Sequence, residues 1–192
     1  MPVKIALDLD GVLSDSMGLW VEIWNSRYGP PALGVEDIRE WDFWRGLGIT
    51  QEMFNEVFDE VWRSWARLRP LEENIGEKVA RLTQLGKVDI VSGRAVKHLP
   101  YVKSWLKHHR IRYDSIFLGV PAKNRLNHTV FIDDSPIEAA QIAGTGRYVL
   151  LRDQPWNRHV PERRFILRVR SLDEAFQRLV GEVFPGMLSQ GI

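Results

Sequence analysis

The stretch Val3-Lys4-Ile5-Ala6-Leu7-Asp8-Leu9-Asp10-Gly11-Val12 begins as a mostly apolar run and ends in two carboxylates and a glycine. It reads as a buried strand whose C-terminal end meets solvent. Downstream the same kind of ending recurs. Val88 to Val91 is an apolar run followed by Ser92-Gly93-Arg94, and Thr129 to Ile132 is one followed by Asp133-Asp134-Ser135-Pro136. Ser115 to Leu118, Tyr148 to Leu151 and Phe165 to Val169 complete the set of predicted strands.

Helical stripes alternate with these runs. Ile75, Val79, Leu82 and Leu85 form one, closed by Gly86. Val96, Leu99, Val102, Trp105 and Leu106 form the next. Ser135, Pro136 and Glu138 predict a capping box with proline at the first helical position, in a helix ending near Gly144. Ser171 and Glu174 cap a last helix, and the tail from Pro185 is expected to fray. Alternating strands and helices predict an α/β fold, a three-layer, Rossmann-like, mostly parallel sheet with helices on both faces.

One segment interrupts the alternation directly after the first strand. Residues 14–70 hold six of the eight tryptophans: Trp20, Trp24, Trp41, Trp44, Trp62 and Trp65. Leu19, Trp20, Ile23, Trp24 and Tyr28 recur at helical spacing up to Gly29-Pro30-Pro31. After the Thr50 cap, Phe54, Val57, Phe58, Val61, Trp62 and Trp65 form a second stripe. The expected organisation is an α/β core of residues 1–13 and 71–192 with a small helical cap of residues 14–70.

Whole-chain properties narrow the chemistry. The 192 residues suit one domain with a modest insert. With 26 basic and 25 acidic residues the formal charge is +1, so no global field points to a nucleic-acid polymer and phosphate recognition must be local. The absence of cysteine excludes disulfides, thiolate metal sites and cysteine nucleophiles. No stretch approaches the roughly 20 apolar residues of a membrane span, and the apolar run at the N-terminus is too short for a signal peptide. A cytoplasmic protein is expected.

In open α/β sheets ligands bind at the carboxyl ends of strands. If the ends above share one sheet, Asp8, Asp10, Asp133 and Asp134 converge with the Ser92 hydroxyl and the Lys123 ammonium, in the loop ahead of Asp133. Crowded carboxylates raise one another's pKa, and a hard divalent cation relieves the crowding. Oxygen ligands without His or Cys select Mg2+ over zinc. Ser92 and Lys123 would complete a phosphate cradle, and a carboxylate can attack phosphorus to give an aspartyl-phosphate.

These segments, in this order, resemble the haloacid dehalogenase-like phosphatase superfamily. Asp8-Leu9-Asp10-Gly11-Val12 matches its first motif, Ser92 its second, Lys123 its third and Asp133-Asp134 its fourth. The resemblance implies Asp8 as nucleophile and Asp10 as acid and then base. It implies Mg2+ on the Asp8 carboxylate, the Asp10 carbonyl and Asp133, with Asp134 at a metal-bound water or outer position. Ser92 and the Gly93 N–H would bind phosphate oxygens, and Lys123 would screen the charges. Within the superfamily the chain looks most like the 5'(3')-deoxyribonucleotidase group. The position of the insert supports this, as do Val102-Lys103-Ser104-Trp105-Leu106 with Ile111-Arg112-Tyr113-Asp114, and Gln154-Pro155-Trp156-Asn157-Arg158. Two departures bear on the leaving group: Ser92-Gly93-Arg94 where that group usually has Thr-Ser-Pro, and Asp-Asp-Ser-Pro where it often has Asp-Asp-Arg-Pro.

The expected substrate is therefore a small phosphorylated molecule, with a nucleoside monophosphate first among the candidates. A phosphatase or phosphomutase for another metabolite, a receiver-like phospho-accepting module and an inactive binding protein are the alternatives. Trp20, Trp24, Trp62 and Trp65 are assigned to the cap core by their stripes; Trp41, Phe43 and Trp44, off the stripes, are the better candidates for contact with substrate, with the cap core as their alternative. Arg94 is a candidate clamp for a substrate anion or else a surface ion pair. Asn157 and Arg158 order a nearby loop, the five histidines are surface or structural, and Glu162-Arg163-Arg164 is a solvated strand edge. Asp134 has helix capping as its bland alternative. The aromatic excess suits an interface as well as a pocket, so no oligomeric state is read from it.

Overall fold

The apolar runs become six strands among the described residues. They are β1 (Lys4–Leu7), β2 (Lys87–Ser92), β3 (Ser115–Leu118), β4 (Val130–Asp133), β5 (Tyr148–Arg152) and β6 (Ile166–Val169). A computed structural model provides the coordinates and describes residues 2–185. The fraying expected after Pro185 concerns residues 186–192, outside the described residues. Every strand pairing is parallel, in the order β3-β2-β1-β4-β5-β6. β1, β2, β4 and β5 are almost wholly buried, as strands covered on both faces must be.

The order reverses at β1. Chain order runs outward through β2 and β3 on one side and through β4, β5 and β6 on the other. Right-handed crossovers then send successive helices to opposite faces. Helices α4 (Ile75–Leu82), α5 (Leu99–His108) and α7 (Leu172–Arg178) pack with Ile5, Leu7, Val88 and Ile90 on one face. Helix α6 (Pro136–Ala143) packs through Ala139 and Ile142 with Ala6, Val91 and Phe131 on the other. The crevice between β1 and β4 is the switch point where such sheets bind ligands.

Between β1 and α4 lie α1 (Ser16–Tyr28), α2 (Phe43–Gly46) and α3 (Gln51–Arg63). The chain leaves and returns through an antiparallel bridge of Ser14 with Pro70. Asp15 N–H donates to Arg69 C=O and Leu71 N–H to Leu13 C=O. The α1–α3 segment packs through aromatic faces: Trp20 stacks on Trp24 at 5.1 Å and meets Phe43 edge-on at 5.4 Å. Its buried residues join those of one sheet face in one continuous cluster. At that junction Trp62 of α3 meets Trp105 of α5 edge-on.

Several local expectations change. α4 ends at Leu82, before Leu85 and Gly86. Gly86 serves the approach to β1 instead: a Cβ there would lie 2.2 Å from the Val3 carbonyl oxygen. α3 ends before Trp65, which lies in the following turn. The capping box of α6 is half formed. Ser135 Oγ accepts the Glu138 N–H, but the Glu138 carboxylate turns away to the Lys123 N–H. Phe165 stays outside β6 because its backbone is left-handed, φ 72°.

Candidate active site

β1 delivers Asp8 to the switch point, where its N–H donates to the Ile132 carbonyl of β4. The chain then turns sharply. The Leu9 carbonyl accepts the N–H groups of Leu13 and Ser14 and the Ser14 hydroxyl, which draws Leu9 into the core. Gly11 makes the turn at φ 74°, and a Cβ on it would lie 2.0 Å from Asp134 Oδ2. Only glycine fits that combination of dihedral and crowding.

Asp8, Asp133 and Asp134 are buried together, and one oxygen from each lies within 4.8 Å of the others. Lys123, from a 3₁₀ turn (Lys123–Arg125) ahead of β4, is buried beside them. Its Nζ donates to Asp133 Oδ2 at 2.6 Å and stands 3.0 Å from Asp8 Oδ1. The second Asp133 oxygen accepts the Ser135 N–H at 2.9 Å, so this carboxylate is held on both sides. Asp134 accepts the Trp156 indole N–H on Oδ2 at 3.2 Å, and its Oδ1 is buried without a partner.

One ammonium facing three buried carboxylates leaves excess negative charge. Burial pushes the Asp8 carboxyl up to about 7; Lys123 pulls it down, while Asp133 and Asp10 push it further up. Asp134 rises well above the usual carboxylate range, through burial first and then the charges of Asp8 and Asp133. Burial alone would lower Lys123, but Asp133 and Asp8 outweigh it and hold the ammonium. The set fits a hard divalent cation. Its donors are all oxygens, the Asp134 Oδ1 lacks a partner, and the repulsion that raises Asp8 and Asp134 is what such an ion removes.

Asp10 stands apart from this cluster. Its Oδ1 accepts the Trp62 indole N–H at 3.1 Å. Its Oδ2 accepts Arg94 Nε, and Arg94 Nη2 lies 2.9 Å from the same oxygen. The Arg94 guanidinium also lies 4.1 Å from the centre of the Phe58 ring. Arg94 thus pairs with Asp10 inside the cavity and not at the surface. Only the backbone carbonyl of Asp10 is left for the cation role expected of it. Ser92 is buried at the end of β2. Its Oγ accepts the Arg94 N–H, which leaves the hydroxyl hydrogen to donate.

A cavity of about 430 Å³ opens above these groups. Asp8, Asp10, Ser92, Gly93, Lys123 and Asp134 form its floor; Asp133 is buried against Lys123 and does not line it. Trp41, Phe43, Trp44, Phe54 and Phe58 form a wall supplied by the α1–α3 segment. Trp41 is 38% exposed and Trp44 half-buried, as suits a lining. Trp20, Trp24 and Trp62 are buried, but Trp62 also reaches Asp10, which its place on a stripe did not reveal. Phe54, Phe58 and Trp156 were likewise missed as lining residues. Asn157 orders its loop as expected, donating to the Asp134 and Arg152 carbonyls, and Arg158 pairs with Glu36. His98 and His128 are buried against Asp59 and Asp89.

Residues 1–183 match the family model for the 5' nucleotidase, deoxy (pyrimidine), cytosolic type C protein (NT5C). The chain belongs to this nucleotidase family. A nucleotidase of Clostridium acetobutylicum is 26% identical over 179 residues, 91% of this chain and 92% of that one. A Chlorobaculum tepidum protein provisionally named 5'(3')-deoxyribonucleotidase is 25% identical over 84% of each chain. Among solved structures, a haloacid dehalogenase-like hydrolase of Streptococcus pneumoniae superposes with a TM-score of 0.65 at 15% identity. It covers 93% of this chain and 99% of its own. A haloacid dehalogenase-type hydrolase of Bacillus subtilis, solved with magnesium bound, gives 0.60 at 14% identity over 93% and 98%. This nucleotidase-family chain is a phosphoric monoester hydrolase on the haloacid dehalogenase-like fold. No helix among its described residues is long and apolar enough to cross a membrane.

Proposed function

We propose that the protein is a Mg2+-dependent phosphomonoesterase that works through an aspartyl-phosphate on Asp8, with a nucleoside monophosphate such as a deoxyribonucleotide as its substrate. The observation that carries this reading is the buried Asp8 carboxylate at the floor of the cavity, beside Lys123 and within reach of Asp133 and Asp134. An Asp8 oxygen attacks phosphorus, the bond to the leaving oxygen breaks, and Asp10 donates a proton to that oxygen. Asp10 then accepts a proton from the water that attacks the phosphorus of the aspartyl-phosphate. Inorganic phosphate leaves and Asp8 is free again.

Ser92 O–H and the Gly93 N–H hold phosphate oxygens, and Lys123 screens their charge from Asp8. Asp8, Asp133, Asp134 and the Asp10 carbonyl would hold Mg2+, which supplies further charge neutralisation on the phosphoryl oxygens. Both Asp10 oxygens are engaged, one by Trp62 and one by Arg94, so proton transfer from Asp10 to the leaving oxygen requires the Arg94 contact to open. Residues 14–70 act as a cap that closes over the site and excludes bulk water. The aromatic wall of Trp41, Trp44, Phe54 and Phe58 offers stacking faces to a nucleobase. The named nucleotidase relatives support the same substrate class.

The test is hydrolysis of an aryl phosphate with Mg2+ and its arrest by EDTA. Asp8→Asn is expected to abolish turnover while keeping the fold. A panel of deoxy- and ribonucleoside monophosphates against sugar phosphates then ranks the leaving groups. Preference for a sugar phosphate would favour the alternative of another small phosphorylated metabolite.

A further inference from the structure

We propose that Trp156 is a positioning residue for the cation, its indole N–H fixing one oxygen of Asp134 so that the other is kept for the metal. The inference rests on the metal-dependent reading above. Trp156 is only 4% exposed, in the 3₁₀ turn Pro155–Asn157, and donates to Asp134 Oδ2 at 3.2 Å. The opposite oxygen, Oδ1, is buried and has no partner within the protein. A buried carboxylate oxygen left bare costs free energy unless something positive meets it. The one-sided hydrogen bond thus divides the carboxylate into a held oxygen and an offered one.

The turn that carries Trp156 is itself fastened from several sides. Gln154 Nε2 donates to the Gly11 carbonyl at 2.7 Å, tying the turn to the strand end that bears Asp8 and Asp10. Asn157 Nδ2 donates to the backbone carbonyl of Asp134 at 2.8 Å and to that of Arg152 at 2.7 Å. The bare Cα of Gly11 completes the packing: a Cβ there would lie 2.0 Å from Asp134 Oδ2 and 3.2 Å from Trp156 Cζ2. Carboxylate and indole therefore fill the space that a side chain at position 11 would need, and the indole hydrogen bond restricts rotation of the carboxylate. A ligand whose rotation is already restricted loses less freedom when it meets the ion, the general reason outer partners of metal ligands matter to affinity.

Trp156→Phe keeps the ring and removes the donor. Mg2+ binding followed by calorimetry, with no substrate present, is expected to weaken by about 10- to 100-fold. Because Trp156 acts through Asp134, the variant Trp156→Phe/Asp134→Asn is expected to bind no more weakly than Asp134→Asn alone. Should Trp156→Phe fold poorly, the indole resonances of the wild-type protein under Mg2+ titration serve instead. One of them is expected to shift with the metal and to lose that response in Asp134→Asn. Unchanged Mg2+ affinity in Trp156→Phe, or losses that add in the double variant, would overturn the inference while leaving the metal-dependent reading standing. An indole spectrum indifferent to bound metal would do the same. A wild-type protein that binds no Mg2+ would remove both.

Discussion

The floor of the cavity and its wall are built on different principles. At the floor, Asp8, Lys123, Asp133 and Asp134 are buried and held by polar contacts: Lys123 on Asp133 and Asp8, the Ser135 N–H on Asp133, Trp156 on Asp134. The wall is aromatic, and Trp41 in it remains substantially exposed. Strand ends on a rigid sheet fix atoms closely, as phosphoryl chemistry demands. Aromatic faces offer area without fixed direction, which suits choice of a leaving group. Asp10 sits on the seam: it belongs to the floor, yet Trp62 of α3 holds one of its oxygens and Arg94, seated on Phe58, holds the other.

Substitutions on the two sides are expected to separate kinetically. The largest effect in this series is Asp10→Asn, expected to lower kcat by about 10²- to 10⁴-fold on alkyl phosphates. The loss should be smaller for the first step on an aryl phosphate, whose leaving oxygen needs less proton donation. Equal losses in that step on both substrates would place Asp10 in positioning and not in proton transfer. Trp44→Ala and Trp41→Ala come next. Each is expected to raise KM for a nucleoside monophosphate about 10-fold, the size of one lost stacking face, with little change for an aryl phosphate. A uniform fall in kcat on every substrate would break the division between floor and wall.

The smallest expected effect is one of stability and pH. Asp8, pushed up to about 7, and Asp134, also raised, keep protons in the folded state that the unfolded chain has lost by then. Their contribution to metal-free stability is therefore most favourable below the ordinary carboxylate value of 3.8. It is lost as pH rises through about 7. Mg2+ should accordingly raise Tm more at pH 8 than at pH 5, and Asp8→Asn should be more stable than the metal-free parent at pH 8. A Tm gain from Mg2+ that is largest at pH 5 would show that the crowding of these carboxylates is not what the ion relieves.

The two regions also differed in how far they could be read from residue order. An apolar run that stops at a carboxylate or a Ser-Gly pair marks a strand end, and strand ends of a parallel sheet gather at one edge. Asp8, Ser92, Asp133 and Asp134 were placed together on that logic alone, with Lys123 beside them. The wall resisted because helical periodicity gives the apolar face of a helix but not what the face meets. Trp62 lies on the same stripe as Val61 and Phe58, and nothing in that spacing tells that its N–H points at Asp10. Arg94 reads as a substrate clamp or a surface ion pair, and spacing cannot name Asp10, 84 residues away, as its partner. Glu138 looked like half of a local capping box, whereas its carboxylate serves the Lys123 turn. In each case the deciding contact is long-range, and local pattern cannot register it.

The central claim is that the phosphoryl group passes through Asp8. It is tested most directly by quenching the protein with acid during turnover of an aryl phosphate and mapping covalent phosphate by peptide mass. The account predicts phosphate on the peptide carrying Asp8, accumulating in Asp10→Asn because its hydrolysis is slowed, and absent from Asp8→Asn or after EDTA. Rapid hydrolysis with no phosphate on the chain in either the wild-type protein or Asp10→Asn, or phosphate that persists in Asp8→Asn, would contradict it.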